Sequence, residues 1–214
     1  MNFSIKRIEE GITSGIQNLD QQGLTSWLIT KKLIADKETL YSFNDIQPWE
    51  RTGGETYSTI FNFQTDKQEQ TIVAKTIVTI IPEKSLIDWA NRRKILANNK
   101  VSVSQWFWTG EATIFEPFYP NKSDKTKDFN LLLQIAFTLD RLGFTTLDFL
   151  SDIMCDSEGN PFYIDFGFDL GEPSQNIKTS AKDCLIRNYP NQKADIEEFY
   201  GIILNKNKNK INIW

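Results

Sequence analysis

The sequence predicts an α+β fold in two lobes, an antiparallel sheet followed by a mainly helical half. Three observations carry that expectation. Three β-branched and aromatic runs lie between residues 46 and 78, separated by turn signals. Helical spacing of apolar residues returns after residue 128. Between the two textures, Pro117 and Pro120 bracket a connector that continues into the polar stretch NKSDKTKD. These features divide the chain into a helical extension (1–44), a sheet lobe with one helix (45–118) and a reduced helical lobe (119–214).

Taken in order, Ile5, Ile8, Ile12, Ile16 and Leu19 recur three or four apart and predict an amphipathic helix, with Trp27, Leu28 and Leu33-Ile34 continuing helically. Ile46–Trp49, Tyr57–Phe63 and Thr71–Val78 predict three sequential antiparallel strands, joined across Gly53-Gly54 and across TDKQEQ. Pro82 ends the sheet segment, and Ser85 to Asp88 matches a capping box opening a helix through Leu96. Strand-like stretches follow at Val101 to Trp108 and Ala112 to Phe115. Asp128 is placed to cap a long helix with Leu132, Ile135, Ala136, Leu139 and Leu142 as its buried stripe and Gly143 as its stop. Asp152 to Cys155 and Phe162 to Ile164 predict a hairpin across DSEGNP, whose Asp156 is turn chemistry. Ile196, Phe199, Tyr200 and Ile203 mark a last helix before the tail NKNKNKINIW.

Composition narrows the chemistry. Among 214 residues there is no histidine, which excludes Ser-His-Asp and Cys-His catalysis and histidine-ligated metals. Two cysteines, Cys155 and Cys184, are too few for a disulfide framework or a zinc cage and read as core thiols. A net charge of −4 argues against broad binding of nucleic acid. No apolar run approaches the ~20 residues of a membrane span, and the opening MNFSIKRIEEG lacks the apolar core of a signal peptide. The expected location is the cytoplasm.

Most informative is Phe162-Tyr163-Ile164-Asp165-Phe166-Gly167, in which a β-type run delivers a carboxylate to a strand end beside a glycine. A hard cation carrying nucleotide phosphate suits such an acid. Phosphoryl transfer also needs backbone amides near phosphate oxygens, a cation on the α/β phosphates and an acid to orient the acceptor. Gly53-Gly54, Lys75 in its strand and the acids Asp148, Asp152 and Asp165 supply these types in chain order. A hairpin would bring Asp152 near Asp165, and two close carboxylates favour a cation between them.

Here the sequence resembles the protein-kinase-like superfamily, in order and spacing over roughly residues 45 to 190. RTGGETYSTIFNF resembles a shortened glycine-rich loop, IVAK the strand of the anchoring lysine and ATIFEPF the strand entering the hinge. LGFTTLDFLSD and IMCDSEGNPFYIDFG resemble the catalytic loop, hairpin and metal-binding motif of compact atypical kinases. These include the RIO family and the small kinase of the tRNA threonylcarbamoylation complex. Aminoglycoside and choline phosphotransferases form a second similar group.

The resemblance implies ATP and Mg²⁺ as cofactors, with ATP between the lobes. It assigns Gly53 and Gly54 to the phosphate cradle, Lys75 to the α/β phosphates, and the Glu116 to Phe118 backbone to adenine. Asp148 becomes the acceptor-orienting acid, and Asp152 and Asp165 the metal ligands. Asp88 is a candidate acid for Lys75, and Asp183 a support for the catalytic loop.

Plainer readings stand beside these. Lys75 reads as a solvent-facing strand lysine, Gly53-Gly54 as a hairpin turn, Asp148 as a turn cap, Asp88 as part of a capping box, Asp183 as a helix-start acid, and Asp152 and Asp165 as solvated strand ends. The family's His-Arg-Asp is Thr146-Leu147-Asp148 here, its Asn is Asp152, and no Ala-Pro-Glu follows Gly167. The expected activity is transfer of the γ-phosphoryl group to a hydroxyl on a small molecule or a dedicated protein partner. The alternatives are a pseudokinase scaffold and an unrelated α+β domain.

Overall fold

In a computed structural model of the chain, the described residues are 20–52, 56–124, 128–167, 170–171 and 179–201, with side chains of 45–52 left aside. The amphipathic stretch at residues 5–19, Gly53-Gly54 and the tail lie outside them. The chain divides into two compact units, residues 1–91 with 104–119 and residues 92–103 with 120–214. It is a mixed α and β protein. Among the described residues no helix is long and apolar enough to cross a membrane.

The first unit is built on a five-stranded antiparallel sheet in the order β1-β2-β3-β5-β4. Its strands are β1 (Leu40–Thr52), β2 (Thr56–Thr65), β3 (Glu69–Ile77), β4 (Trp108–Gly110) and β5 (Thr113–Pro117). β1 starts earlier than the sequence pattern suggests. It tolerates Pro48 because it is an edge strand whose register shifts between Gln47 and Glu50. Helix α1 (Gln21–Thr30) is capped by Asp20, whose Oδ1 accepts the Gly23 N–H at 2.8 Å. The helix stops at Thr30, and the helical reading of Leu33-Ile34 is corrected. Lys32 takes φ 60°, and both apolar residues turn back into the core.

Strand alternation decides what each face of this sheet does. Phe61 and Phe63 of β2, Ile72 and Ala74 of β3 and Phe115 of β5 share a face, and with Leu28, Leu33, Ile34 and Leu40 they form one buried cluster. Trp27 of α1 packs edge-on to Phe115 at 5.5 Å and Phe43 at 6.5 Å. Val73 and Lys75 of β3, with Ile114 and Glu116 of β5, therefore point to the opposite face. The register pairs Ile72 with Pro117 and continues to Phe118, whose N–H donates to Thr71 O at 3.0 Å. Pro117 thus occupies a position where β3 asks for no N–H.

Helix α2 (Pro82–Asn98) begins at the proline itself, which suits a first helical position. Ser85 lies inside that first turn and its hydroxyl pairs with Thr79 Oγ1 at 2.7 Å, so the capping-box reading is corrected. The stretch before Trp108 is largely irregular. β4 and β5 are joined by Glu111 and Ala112 at φ 50° and 57°.

In the second unit, α3 (Phe129–Arg141) buries Leu132, Leu133, Ile135, Ala136 and Leu139. It ends as expected at Gly143, φ 76°. Phe144 N–H bonds Leu139 O at 3.0 Å and Gly143 N–H bonds Asp140 O at 3.1 Å, a Schellman pair. Short strands follow: β6 (Asn121–Lys122), β8 (Ile153–Cys155) and β9 (Pro161–Tyr163) make one sheet, and β7 (Thr145–Thr146) pairs with β10 (Leu170–Gly171). The β8–β9 hairpin turns at Asp156, whose carboxylate accepts from Glu158 N, Asn160 N and Asn160 Nδ2. Helix α4 (Ala181–Asn188) and a helix over 193–201 complete the unit. Both cysteines are buried, and neither is in a disulfide.

Candidate functional site

Lys75 sits mid-ladder in β3, opposite Ile114. Its diagonal neighbour on the same face is Glu116, and Lys75 Nζ lies 2.5 Å from Glu116 Oε1. The lysine side chain is 17% exposed and the glutamate 2%, so this is a largely desolvated ion pair. Glu116 Oε2 is buried and takes no hydrogen bond from any described residue. The acid beside Lys75 is thus on the neighbouring strand. That corrects Asp88 as its partner and gives the Glu116 side chain a part that its sequence reading as hinge backbone left out. The signal was a lone acid inside the apolar run ATIFEPF.

The hinge expectation changes in a second respect. Phe118 N–H is committed to Thr71 O, because residue 118 still follows the β3 register. It is therefore not free to meet adenine, and Phe118 instead presents a ring that is 37% exposed.

The acids belong to the second unit. Ile164 N–H donates to Asp152 O at 2.8 Å, so the hairpin sets the Asp152 backbone against the residue just before Asp165. Asp152 is 4% exposed, and its Oδ2 accepts the Tyr163 hydroxyl at 3.0 Å. That hydroxyl offsets part of the cost of burying a carboxylate. Asp165 Oδ1 accepts the Gly167 N–H at 2.9 Å, closing a tight turn around Phe166, which is 1% exposed and packs on Tyr163. Arg92 Nη1 donates to Phe166 O at 2.9 Å and Gly167 O at 2.7 Å. Nothing in the sequence marked Arg92, since the contact joins residues more than seventy apart.

Asp148 is exposed on a loop whose apolar neighbours Phe149 and Leu150 are buried as anchors. Its Oδ1 accepts from Leu150 N at 3.3 Å and from the Cys184 thiol at 3.4 Å. Burial, followed by the Asp148 charge, pushes the Cys184 thiol up to about 11, so it stays a protonated donor at neutral pH. Arg187 Nη2 reaches Leu147 O at 3.4 Å. Helix α4 therefore supports this loop through Cys184 and Arg187. Asp183, expected in that part, instead bonds Ser180 Oγ at 2.7 Å, which in turn accepts the Asp183 N–H. The helix-start reading of Asp183 is the observed one.

Asp140 is a residue that sequence reasoning missed. Its carboxylate accepts the N–H groups of Ala181 and Lys182 at 2.7 and 2.9 Å and the Tyr200 hydroxyl at 2.8 Å. It thereby fastens α3 to the start of α4 and to the last helix. Burial and this carboxylate hold the Tyr200 phenol well above its usual range.

Gly53 and Gly54 lie outside the described residues, though the ladder closes beside them at Thr52 and Thr56. Among the described residues no three of Cys, Asp and Glu gather into a metal cage. The donor set still suits Mg²⁺, which takes hard oxygens and commonly rests on one or two carboxylates plus phosphate and water. Asp165 Oδ2 takes no hydrogen bond from a described residue, and Asp152 is its hairpin neighbour.

No family profile and no curated protein sequence matches the chain. Among solved structures it is similar to the Rio2 kinase–ADP/Mg²⁺–phosphoaspartate complex from Chaetomium thermophilum, at 15% identity and a TM-score of 0.47. The similarity covers 84% of this chain and 60% of that one, so the chain spans less than two thirds of that kinase's length.

Proposed function

We propose that the chain is an ATP- and Mg²⁺-dependent phosphotransferase of the atypical kinase type, moving the γ-phosphoryl group to a hydroxyl acceptor. The observation that carries this reading is the Asp152–Asp165 hairpin, with Asp148 four residues before it on an anchored loop. In the first unit, the ion-paired Lys75 is the complementary feature.

Lys75 would meet the α/β phosphates, and the neighbouring carboxylate of Glu116 would aim its ammonium. Asp152 and Asp165 would hold Mg²⁺, which when bound neutralises charge on the phosphate oxygens. Asp148 Oδ2 would accept the proton of the attacking hydroxyl, while Leu150 N–H and the Cys184 thiol hold its other oxygen. Asp148 is exposed, so an acceptor can reach it. The acceptor class is a small alcohol or one dedicated protein partner, in a soluble setting.

Asp165→Ala should abolish Mg²⁺-dependent ATP turnover while leaving the circular dichroism spectrum unchanged. Equal turnover in that variant would sink the assignment. Thermal-shift titrations of ATP with and without Mg²⁺ on the wild type, Lys75→Ala and Asp165→Ala measure the same site without an acceptor, since a ligand bound to the native state raises its stability. One observation favours a second reading, a nucleotide-binding scaffold. Asp152 is deeply buried and already holds a tyrosine hydroxyl. ATP stabilisation without transfer to any hydroxyl acceptor would select that reading.

A further inference from the structure

We propose that Arg92 is a positioning residue that fixes the Asp165 carboxylate for its cation, acting through the peptide that joins Phe166 to Gly167. The inference rests on the reading of Asp165 as a metal-holding acid.

A peptide unit is one rigid plane, so fixing its carbonyl fixes its N–H. The Phe166–Gly167 peptide has its C=O held by Arg92 at 2.9 Å, and its N–H donates to Asp165 Oδ1 at 2.9 Å. Arg92 and the Asp165 carboxylate therefore grip opposite ends of the same plane. The next carbonyl, Gly167 O, is held by Arg92 at 2.7 Å and by Leu170 N–H at 3.1 Å, which prevents the plane from rotating about its C-terminal side. Phe166, buried against Tyr163 with ring centroids 5.7 Å apart, prevents rotation on the other side.

Two further points favour a directed contact. A full guanidinium charge on neutral carbonyls gives charge-assisted bonds, stronger than those between neutral groups. A cation on a carbonyl also polarises its peptide and strengthens the N–H at the far end as a donor. That N–H ties one particular oxygen of Asp165 and leaves Oδ2 for a ligand. Arg92 lies within α2, so helical backbone fixes the base of its side chain.

The test uses the full chain as wild type, Arg92→Met, which removes the donors at similar length, and Arg92→Lys, which restores a charged donor. Without nucleotide or metal, the exchange rate of the Gly167 amide proton should rise in Arg92→Met and return partway in Arg92→Lys, with the amides of α3 unchanged. In thermal-shift titrations, the Mg²⁺ concentration giving half of the ATP-dependent stabilisation should rise about tenfold in Arg92→Met, the worth of one charge-assisted hydrogen bond. It should rise less in Arg92→Lys. A folded Arg92→Met, or Arg92→Leu should the first not fold, with wild-type Gly167 exchange or an unchanged Mg²⁺ midpoint overturns the proposal. That holds even where its melting temperature falls, since a merely structural role moves that alone. A wild type without any Mg²⁺ response overturns the phosphotransferase reading itself, whereas a Mg²⁺ response that persists unaltered in the variants overturns the proposal alone.

Discussion

Around Lys75 the backbone is held by three strands adjacent in the sheet, β2, β3 and β5, and the side chain forms a largely desolvated ion pair with Glu116. Around Asp148, Asp152 and Asp165 the strands are two or three residues long. There, side chains such as Tyr163, Cys184, Arg92 and Arg187 perform the holding, each bonding a carboxylate or a loop carbonyl. A lysine on a ladder inherits its place from strand register. An acid on a loop needs a dedicated partner for each degree of freedom. Sites of the second kind are assembled from many small contacts, and the loss of one is graded.

The largest expected effect falls on the ladder side. Glu116→Ala removes the carboxylate from a largely desolvated ion pair with Lys75, at a cost of about 3 kcal/mol. Urea denaturation should show it, and Glu116→Leu with Lys75→Met should restore most of the loss. A single-variant cost below about 1 kcal/mol would mean that the pair behaves like a surface one.

On the other side, Asp140→Ala removes the acceptor of two helix-start N–H groups and of a buried phenol. The expected cost is roughly 2 to 3 kcal/mol. A loss confined to α4 and the last helix, read by amide exchange, would mark the second unit as a set of separately fastened parts.

The smallest effect is a pH dependence. The Cys184 thiol has its ordinary value of 9.0 when unfolded and about 11 when folded. Its contribution to stability is fully present below pH 9 and is lost as pH rises towards 11. Cys184→Ala should flatten that part of the alkaline decline. The part due to Tyr200, also raised, should persist. An identical decline in both proteins would show that the thiol proton is not held by burial and Asp148.

Legibility in the sequence followed the range of the interactions. β2, β3, α3 with its glycine stop and the β8–β9 hairpin could be read because periodicity or turn chemistry is local. The end of α1 could not, since Lys32 adopts a positive φ that its residue type does not announce. The β4–β5 turn was hidden for the same reason, with Glu111 and Ala112 where rules favour Asn and Gly. At the site, the adjacency of Asp152 to the strand end before Asp165 follows from hairpin pairing alone. The Lys75–Glu116 pair depends on a register between strands forty residues apart, and the Arg92 contact on tertiary packing.

Pro117 has a consequence for assembly as well as for the finished ladder. If β5 slipped by one residue along β3, the proline would stand where the ladder expects a donor, and the Glu116 carboxylate would swing to the greasy side of the sheet. Two unrelated penalties, a missing proton and a stranded charge, thus reject the same mispairing. The chain proofreads the alignment of Lys75 with Glu116 as the sheet zips shut.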